Sequence, residues 1–448
     1  MVVKIQDIAE ATLTKAIKMG ADAADIIVAE TEQASVDVLK GDLEMVQRSE
    51  KMTLGLRVIL GHKQAMISSS DFTPETLDNT VARAITMAQV APDDPSVGLA
   101  EVNQLIGEIP PASLEQYDDT PFPSLEEMEQ FGVTMEKAAL DIEGVSNVSS
   151  ASMQYGKSKS ILMASNGFSG EQYYNYRGAG CSAIAGTDLG MQTDYYYQQR
   201  VFADDLDTPE FIGQKAGTRA AQKLNSQKPE TMTCPVIYDR RVASSLIGHL
   251  LVACNGQSIA RGSSWLMDSL DCQILPSSIS LVEEPHRVKS LSSRYFDAEG
   301  LPTCERAIVD NGILKSWILD LGTARKLGLA STGNANRSLT SGPSPSMTNV
   351  SLTLGDNSKE DLIKNIQNGV FINSLIGSTI NQNTGDYSRG ASGMLIENGE
   401  LTKPITEFTV AGNLKTILRS IISANDPREF NSFRVPSVLV DAMTVAGN

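Results

Sequence analysis

Few residues in this chain offer themselves for chemistry. The sequence has three histidines, His62, His249 and His286, all far apart. His249 lies in Val242–Ala253, an apolar stretch that follows a strand-like Pro235-Val-Ile-Tyr238 and a basic pair, Arg240 and Arg241. At about 100° per residue, Val242, Leu246, His249, Leu250 and Ala253 share one face of a helix, which Gly256 would close. A single imidazole on such a face reads as a core histidine holding one or two hydrogen bonds. A metal role needs at least two more donors, which ligands distant in sequence could still supply. Cys254 follows directly. A thiolate nucleophile needs a base or a helix N-terminus. Cys254 would sit instead at a helix C-terminus, where the dipole disfavours an anion, so a small buried hydrophobe is its plainer reading.

Two polar segments suit binding better than bond-breaking. The run from Ala330 to Asn349 is long and carries no expected element. Long loops in compact domains tend to be functional or disordered. Within it, the amides of Asn334 and Asn336 suit a peptide backbone and Arg337 suits a carboxylate. The second segment, Asn383–Gly393, holds Thr384, Asp386 and Arg389 among glycines that allow close approach of a ligand or neighbour. It is no phosphate loop, because no lysine follows and Asp386 would repel phosphate. The alternative is a tight sheet corner with an internal Asp386–Arg389 pair.

Positioning these residues requires many short elements. Ile5–Met19 carries a helical stripe ended by Gly20. Strands are expected at Asp25–Thr31, Ser35–Gln47 and Met52–Leu60, with turns at Gly41-Asp42 and Gly61-His62. Helices follow from Pro74 to about Val90 and from Ser124, where Glu127 can complete a capping box, to near Gly144. Val145–Phe202 reads as an antiparallel meander turning at Asn166-Gly167, and a further helix runs from Thr208 to about Asn225. Beyond it, Asn311-Gly312 and Asn398-Gly399 each sit between apolar runs, as type I′ hairpins require, and short helices are expected near Ser358–Asn368 and Asn413–Ser423. Hairpins without alternating helices argue for a closed or strongly curved antiparallel sheet. The expected fold is α+β: an N-terminal α/β domain with an antiparallel sheet and helices over 1–228, and a C-terminal antiparallel β-barrel-like domain over 229–448.

At 448 residues the chain exceeds the roughly 250–300 at which a single core stops growing. A net charge of −17 argues against nucleic acid as partner and against anionic membranes. Five cysteines without a Cys-x-x-Cys pair read as reduced thiols, and no apolar run of membrane length or signal-like start is evident. A cytoplasmic location is expected.

Several blocks in order resemble the TldD/PmbA peptidase family. They include Phe296-Asp-Ala-Glu-Gly300, Ser331-Thr-Gly-Asn-Ala335, Thr348-Asn349, Thr384–Gly393, Ile396-Glu-Asn-Gly399 and Val410-Ala-Gly-Asn413. The helix holding His249 resembles that family's metal helix, which in the zinc-bearing branch carries His-Glu-x-x-x-His. Here Gly248 and Ala253 stand where the histidines would be and His249 where the glutamate would be. The resemblance is therefore to the metal-free TldE/PmbA branch. It implies a subunit with no cofactor of its own, in a complex whose TldD-type partner supplies zinc. It implies processing of unfolded peptides, with a homodimer possible when the chain is alone, and an indirect link to DNA gyrase. On this reading the segments of Asn334, Asn336 and Arg337 and of Thr384, Asp386 and Arg389 line the substrate path. Two other readings stand beside it: a stand-alone hydrolase using Cys254 or an unrecognised metal site, and a non-enzymatic regulatory binding protein.

Overall fold

A computed structural model describes residues 4–110, 113–187 and 190–447. The first half builds one sheet. After α1 (Ile5–Lys18) come β1 (Ala23–Leu39), β2 (Asp42–Leu60), β3 (Lys63–Ser69) and α2 (Pro74–Val90). Then follow α3 (Leu125–Leu140), β4 (Val145–Ala164), β5 (Ser169–Ala185), β6 (Gln192–Arg200) and α4 (Pro209–Ala221). The six strands lie in the order β3-β2-β1-β4-β5-β6, and every neighbouring pair is antiparallel.

β1 and β2 are longer than expected. No break falls at 32–34 or 48–51; Glu32 pairs with Glu50 and Ala34 with Arg48 in a ladder whose register shifts only at Asp37/Val38, before the turn at Lys40-Gly41. Gln33, Arg48, Glu50 and Lys51 are polar because they are exposed on the sheet, not because they lie in loops. The helix starts follow their caps: Ser124 and Glu127 form the reciprocal box, and Thr73 and Thr208 accept from the first turn ahead of Pro74 and Pro209.

Strand alternation decides what each face meets. Ala24, Ile26 and Val28 with Leu54, Leu56 and Val58 pack beneath α1 and α2, and Val36 and Val38 pack beneath α3 and α4. Asp25, Gly55 and Arg57 therefore fall on the opposite face, which the second half covers. There Arg337 pairs with Asp25 and donates to the Gly55 carbonyl at 3.2 Å. Gly55 is required at this contact, since a Cβ would lie 2.2 Å from the Leu339 carbonyl oxygen.

The second half contains β7 (Met232–Tyr238), α5 (Ala243–Ala253), α6 (Gly256–Ala260), β8 (Leu281–Glu283), β9 (Arg306–Asp310), β10 (Ile313–Leu314) and α7 (Leu321–Leu327). It continues with β11 (Ala335–Asn336), β12 (Ser344–Pro345), β13 (Val350–Leu352), α8 (Lys359–Lys364), β14 (Asn368–Ile380) and β15 (Asp386–Glu397). The last elements are β16 (Glu400–Asn413), α9 (Leu414–Arg419), β17 (Ile421–Ser423), β18 (Phe433–Arg434) and β19 (Val438–Ala446). Strands β16-β15-β14-β7-β19 close into a five-stranded barrel through a β16–β19 pairing. An odd number of strands cannot alternate direction all the way round, and the β7–β14 pair is the parallel one. Its remaining junctions are antiparallel, as expected of the C-terminal domain. Both Asn-Gly hairpins form with positive φ at Asn311, Gly312, Asn398 and Gly399. One face of the barrel strands (Val236, Tyr238, Val370, Ile372) shares a core with α5, while Ile237, Phe371 and Leu439 pack with α8. The expected division at 228/229 lies in the connection between α4 and β7. Among the described residues no helix is long and apolar enough to cross a membrane.

Among the ion pairs that join the halves, two differ sharply in burial: Arg337–Asp25, whose side chains are 0% and 3% exposed, and Lys326–Asp94, at 48% and 39%. Arg337→Ala should cost on the order of 3–5 kcal/mol in chemical denaturation, because it leaves Asp25 buried with half its compensation. Lys326→Ala should barely change stability. Equal losses from the two would contradict this assignment.

Candidate functional site

α5 begins where the Asp239 carbonyl accepts from the amides of Val242 (2.8 Å) and Ala243 (2.8 Å). Its Leu246, Ile247, Leu250 and Leu251 are buried. The helix ends at Ala253, earlier than the expected closure at Gly256. Cys254 is the C-cap, and Asn255 starts α6 by accepting from the Gln257 amide. Gly256 packs against Leu319 and Thr323 and terminates nothing.

His249 is half-buried on α5, edge-on to the Tyr387 ring at 6.0 Å between centroids. Its Nε2 is buried without a hydrogen-bond partner among the described residues. Burial, and secondly the Arg389 guanidinium, push its pKa down to about 4, so the imidazole is neutral at pH 7. The Tyr387 and Tyr238 hydroxyls lie 3.4 Å apart, and burial raises both pKa values, so neither phenol is a base. The metal-helix positions do not fit a metal. Gly248 offers no donor, although a Cβ there would meet nothing within 4 Å. Ala253 is fully buried in the core, with no room for an imidazole. Among the described residues no three His, Cys, Asp or Glu side chains converge in a metal-holding group. Cys254 is fully buried and its thiol is pushed up to about 12 by burial, unsuited to nucleophilic attack.

β15 brings the second polar segment to the same place. Tyr387 and Arg389, two residues apart, share the strand face that meets His249. Asp386 falls on the other face, so the internal Asp386–Arg389 pair does not form. Instead Asp386 accepts from Thr384 (2.7 Å) and Asn413 (2.9 Å), bonds that hold its pKa below the ordinary range. Arg389 donates to the Gly377 carbonyl at 2.7 Å. Thr384 and Asp386 are exposed and Arg389 is half-buried.

The first polar segment is ordered by a buried carboxylate. Glu283 accepts from the Asn334 amide (2.8 Å), the Thr348 hydroxyl (2.8 Å) and Arg306 (2.9 Å), and Arg306 also donates to the Asn334 carbonyl (2.6 Å). Asn334 is thus committed within the protein, and Arg337 is committed to Asp25; only Asn336 of this trio is exposed. The segment is also not elementless, since β11 and β12 pair within it. No hydrogen bond or ion pair joins it to Thr384–Arg389 among the described residues.

Sequence reading missed a cleft of about 430 Å³ at the junction of the halves, lined in part by Arg57, Asp94, Glu299, Asp320 and Lys326. Glu299 is pushed up to about 8 by burial and next by Asp297. Its lining comes from segments more than two hundred residues apart, so no local pattern announces it.

Comparison with known proteins adds the lineage. Residues 24–88, 118–224 and 231–447 match the PmbA/TldA metallopeptidase domain 1, central domain and C-terminal domain. The metalloprotease PmbA of Escherichia coli O157:H7 is 33% identical, the match covering 99% of this chain and 96% of that protein. The chain belongs to the PmbA/TldD metallopeptidase family. A PmbA homologue of Haemophilus influenzae is 31% identical over 97% of this chain and 94% of its own. A crystal structure from Bacteroides thetaiotaomicron, described as a putative modulator of DNA gyrase, superposes with a TM-score of 0.92 at 26% identity, covering all of both chains. TldE of Thermococcus kodakarensis shares the fold, with a TM-score of 0.86 at 21% identity over 98% of this chain and all of that one. The three domain matches part the first half between 88 and 118, yet the β1–β4 ladder runs across that division.

The depressed His249 pKa has a defined consequence for stability. The unfolded chain protonates this imidazole near its ordinary 6.5, whereas the folded one resists until about 4. Protons therefore bind the unfolded state first, and stability is lost as pH falls from 6.5 towards 4. His249→Leu should lose less stability between pH 7 and pH 4.5 than the parent in urea titrations. An equal loss would show that His249 is not held neutral.

Proposed function

We propose that this chain is the metal-free, TldE/PmbA-type subunit of a cytosolic two-component peptidase acting on unfolded peptides. The observation that carries the reading is the α5 face, where Gly248 and Ala253 stand at the two ligand positions and His249 is a single neutral imidazole. Water or a carbonyl would be polarised by zinc on a TldD-type partner, and this chain would hold and orient the extended substrate. Asn336, Thr384 and Asp386, all exposed, and the half-buried Arg389 are the groups offered to it. Asn334 and Arg337 would contribute by fixing the loop that carries Asn336. Alone, the chain would form a homodimer.

The test is cleavage of an unfolded peptide by a TldD-type chain with and without this protein. Addition should raise the rate severalfold, and a zinc chelator should abolish it. An unchanged rate contradicts the subunit role.

A further inference from the structure

A second cleft, of about 500 Å³, lies between β6, the α4 side chain Arg219, the β7–α5 turn and the 427–432 segment. Six cations line it: Arg200, Arg219, Arg240, Arg241, Lys289 and Arg428. Glu429 is the one carboxylate residue in the lining. In a chain of net charge −17 this is a local inversion of sign. Two of the six have a carboxylate partner: Arg241 with Asp194 at 2.6 Å and Lys289 with Asp205 at 2.9 Å. Glu429 itself turns to Arg434 at 3.7 Å.

The remaining four guanidinium groups have no carboxylate within ion-pair distance among the described residues. Three of these are held by main-chain carbonyls. Arg200 donates to Asp205 (3.1 Å) and Gln199 (2.9 Å), Arg219 to Tyr195 (3.0 Å), and Arg240 to Asp426 and Pro427 (each 3.4 Å). Rings fix the planes further: Arg200 lies 4.2 Å from the Phe430 centroid and Arg219 4.7 Å from that of Tyr196. The guanidinium of Arg428, a half-buried residue, makes no hydrogen bond to the protein among the described residues. Burial and then Arg241 lower the pKa of Arg219 to about 10, and the same two causes lower that of Arg428. Three of the four, Arg200, Arg219 and Arg428, are half-buried, and none of the four has a carboxylate within ion-pair distance among the described residues.

We propose that this cleft is a carboxylate-binding subsite for extended peptides, with Arg428 as the group that closes on the ligand. Guanidinium forks match carboxylates bidentately. The exposed rings of Tyr195, Tyr197 and Phe430 offer apolar surface to neighbouring peptide side chains. A long polyanion is disfavoured, because beyond the cleft it would meet the chain's net negative charge. The choice of a peptide rests on the proposed function; the anion site rests on the cleft alone. The carboxylate could be an Asp or Glu side chain or the peptide C-terminus.

Calorimetric titration of the full chain with short unstructured peptides separates these cases. The peptides are a Glu-containing one, its Gln counterpart, and each of them with an amidated C-terminus. Loss of affinity on Glu→Gln assigns the side chain, and loss on amidation assigns the terminus. Either supports the subsite, provided that R428Q weakens binding roughly ten-fold or more while leaving the melting temperature unchanged. R428K should retain part of the affinity. Equal binding of all four peptides, no binding of any, or undiminished binding to R428Q overturns the proposal. Because no TldD-type chain is present, the result is independent of whether this protein accelerates cleavage.

Discussion

One buried carboxylate governs how the two halves of this protein meet. Asp25 lies between Arg57 of its own sheet and Arg337 from the far half of the chain, and all three side chains are almost wholly removed from water. Burial alone would raise the Asp25 pKa, but Arg337 first and Arg57 second outweigh it, and the carboxyl is held below the ordinary range. Its contribution to stability is present above the ordinary carboxylate pKa and fades as pH falls through the lowered one. The loop that carries Asn336 is anchored to the sheet by that triad and by the close approach of Leu339 to Gly55.

The second constraint is parity. Five strands close a barrel only with at least one parallel junction, and β7 and β14 supply it. β7 then leads through a tight turn into α5, whose apolar face completes the core against Tyr238 and Tyr387. His249 is carried to that face beside Arg389, and among the described residues it joins no metal-holding group of His, Cys, Asp or Glu side chains. The α5 positions that resemble a metal motif in sequence serve packing here: Ala253 is buried in the core, and Gly248 faces open space with no side-chain donor.

Local chemistry in the sequence was legible wherever one residue dictates a backbone state. Asn311-Gly312 and Asn398-Gly399 turn as their positive φ demands, and Ser124 with Glu127 caps its helix. The breaks expected within β1 and β2 do not exist: the polar residues at 32–33 and 48–51 look like loop, whereas in a sheet they need only face water. Side-chain roles were harder. Arg337 has the chemistry of a carboxylate clamp, and it does clamp one, but that carboxylate is Asp25, more than three hundred residues earlier. Alternation places Asp25 on the face away from the helices; nothing local names its partner. The cationic cleft was invisible for the same reason, since its arginines come from four separate stretches of chain.

The account stands on α5 being unable to hold a catalytic metal. Zinc titration of the isolated full chain against a competing fluorescent chelator tests this most directly. The account predicts no stoichiometric high-affinity site, and no difference between the parent and His249→Gln. One tightly bound zinc per chain, lost in His249→Gln, would contradict it.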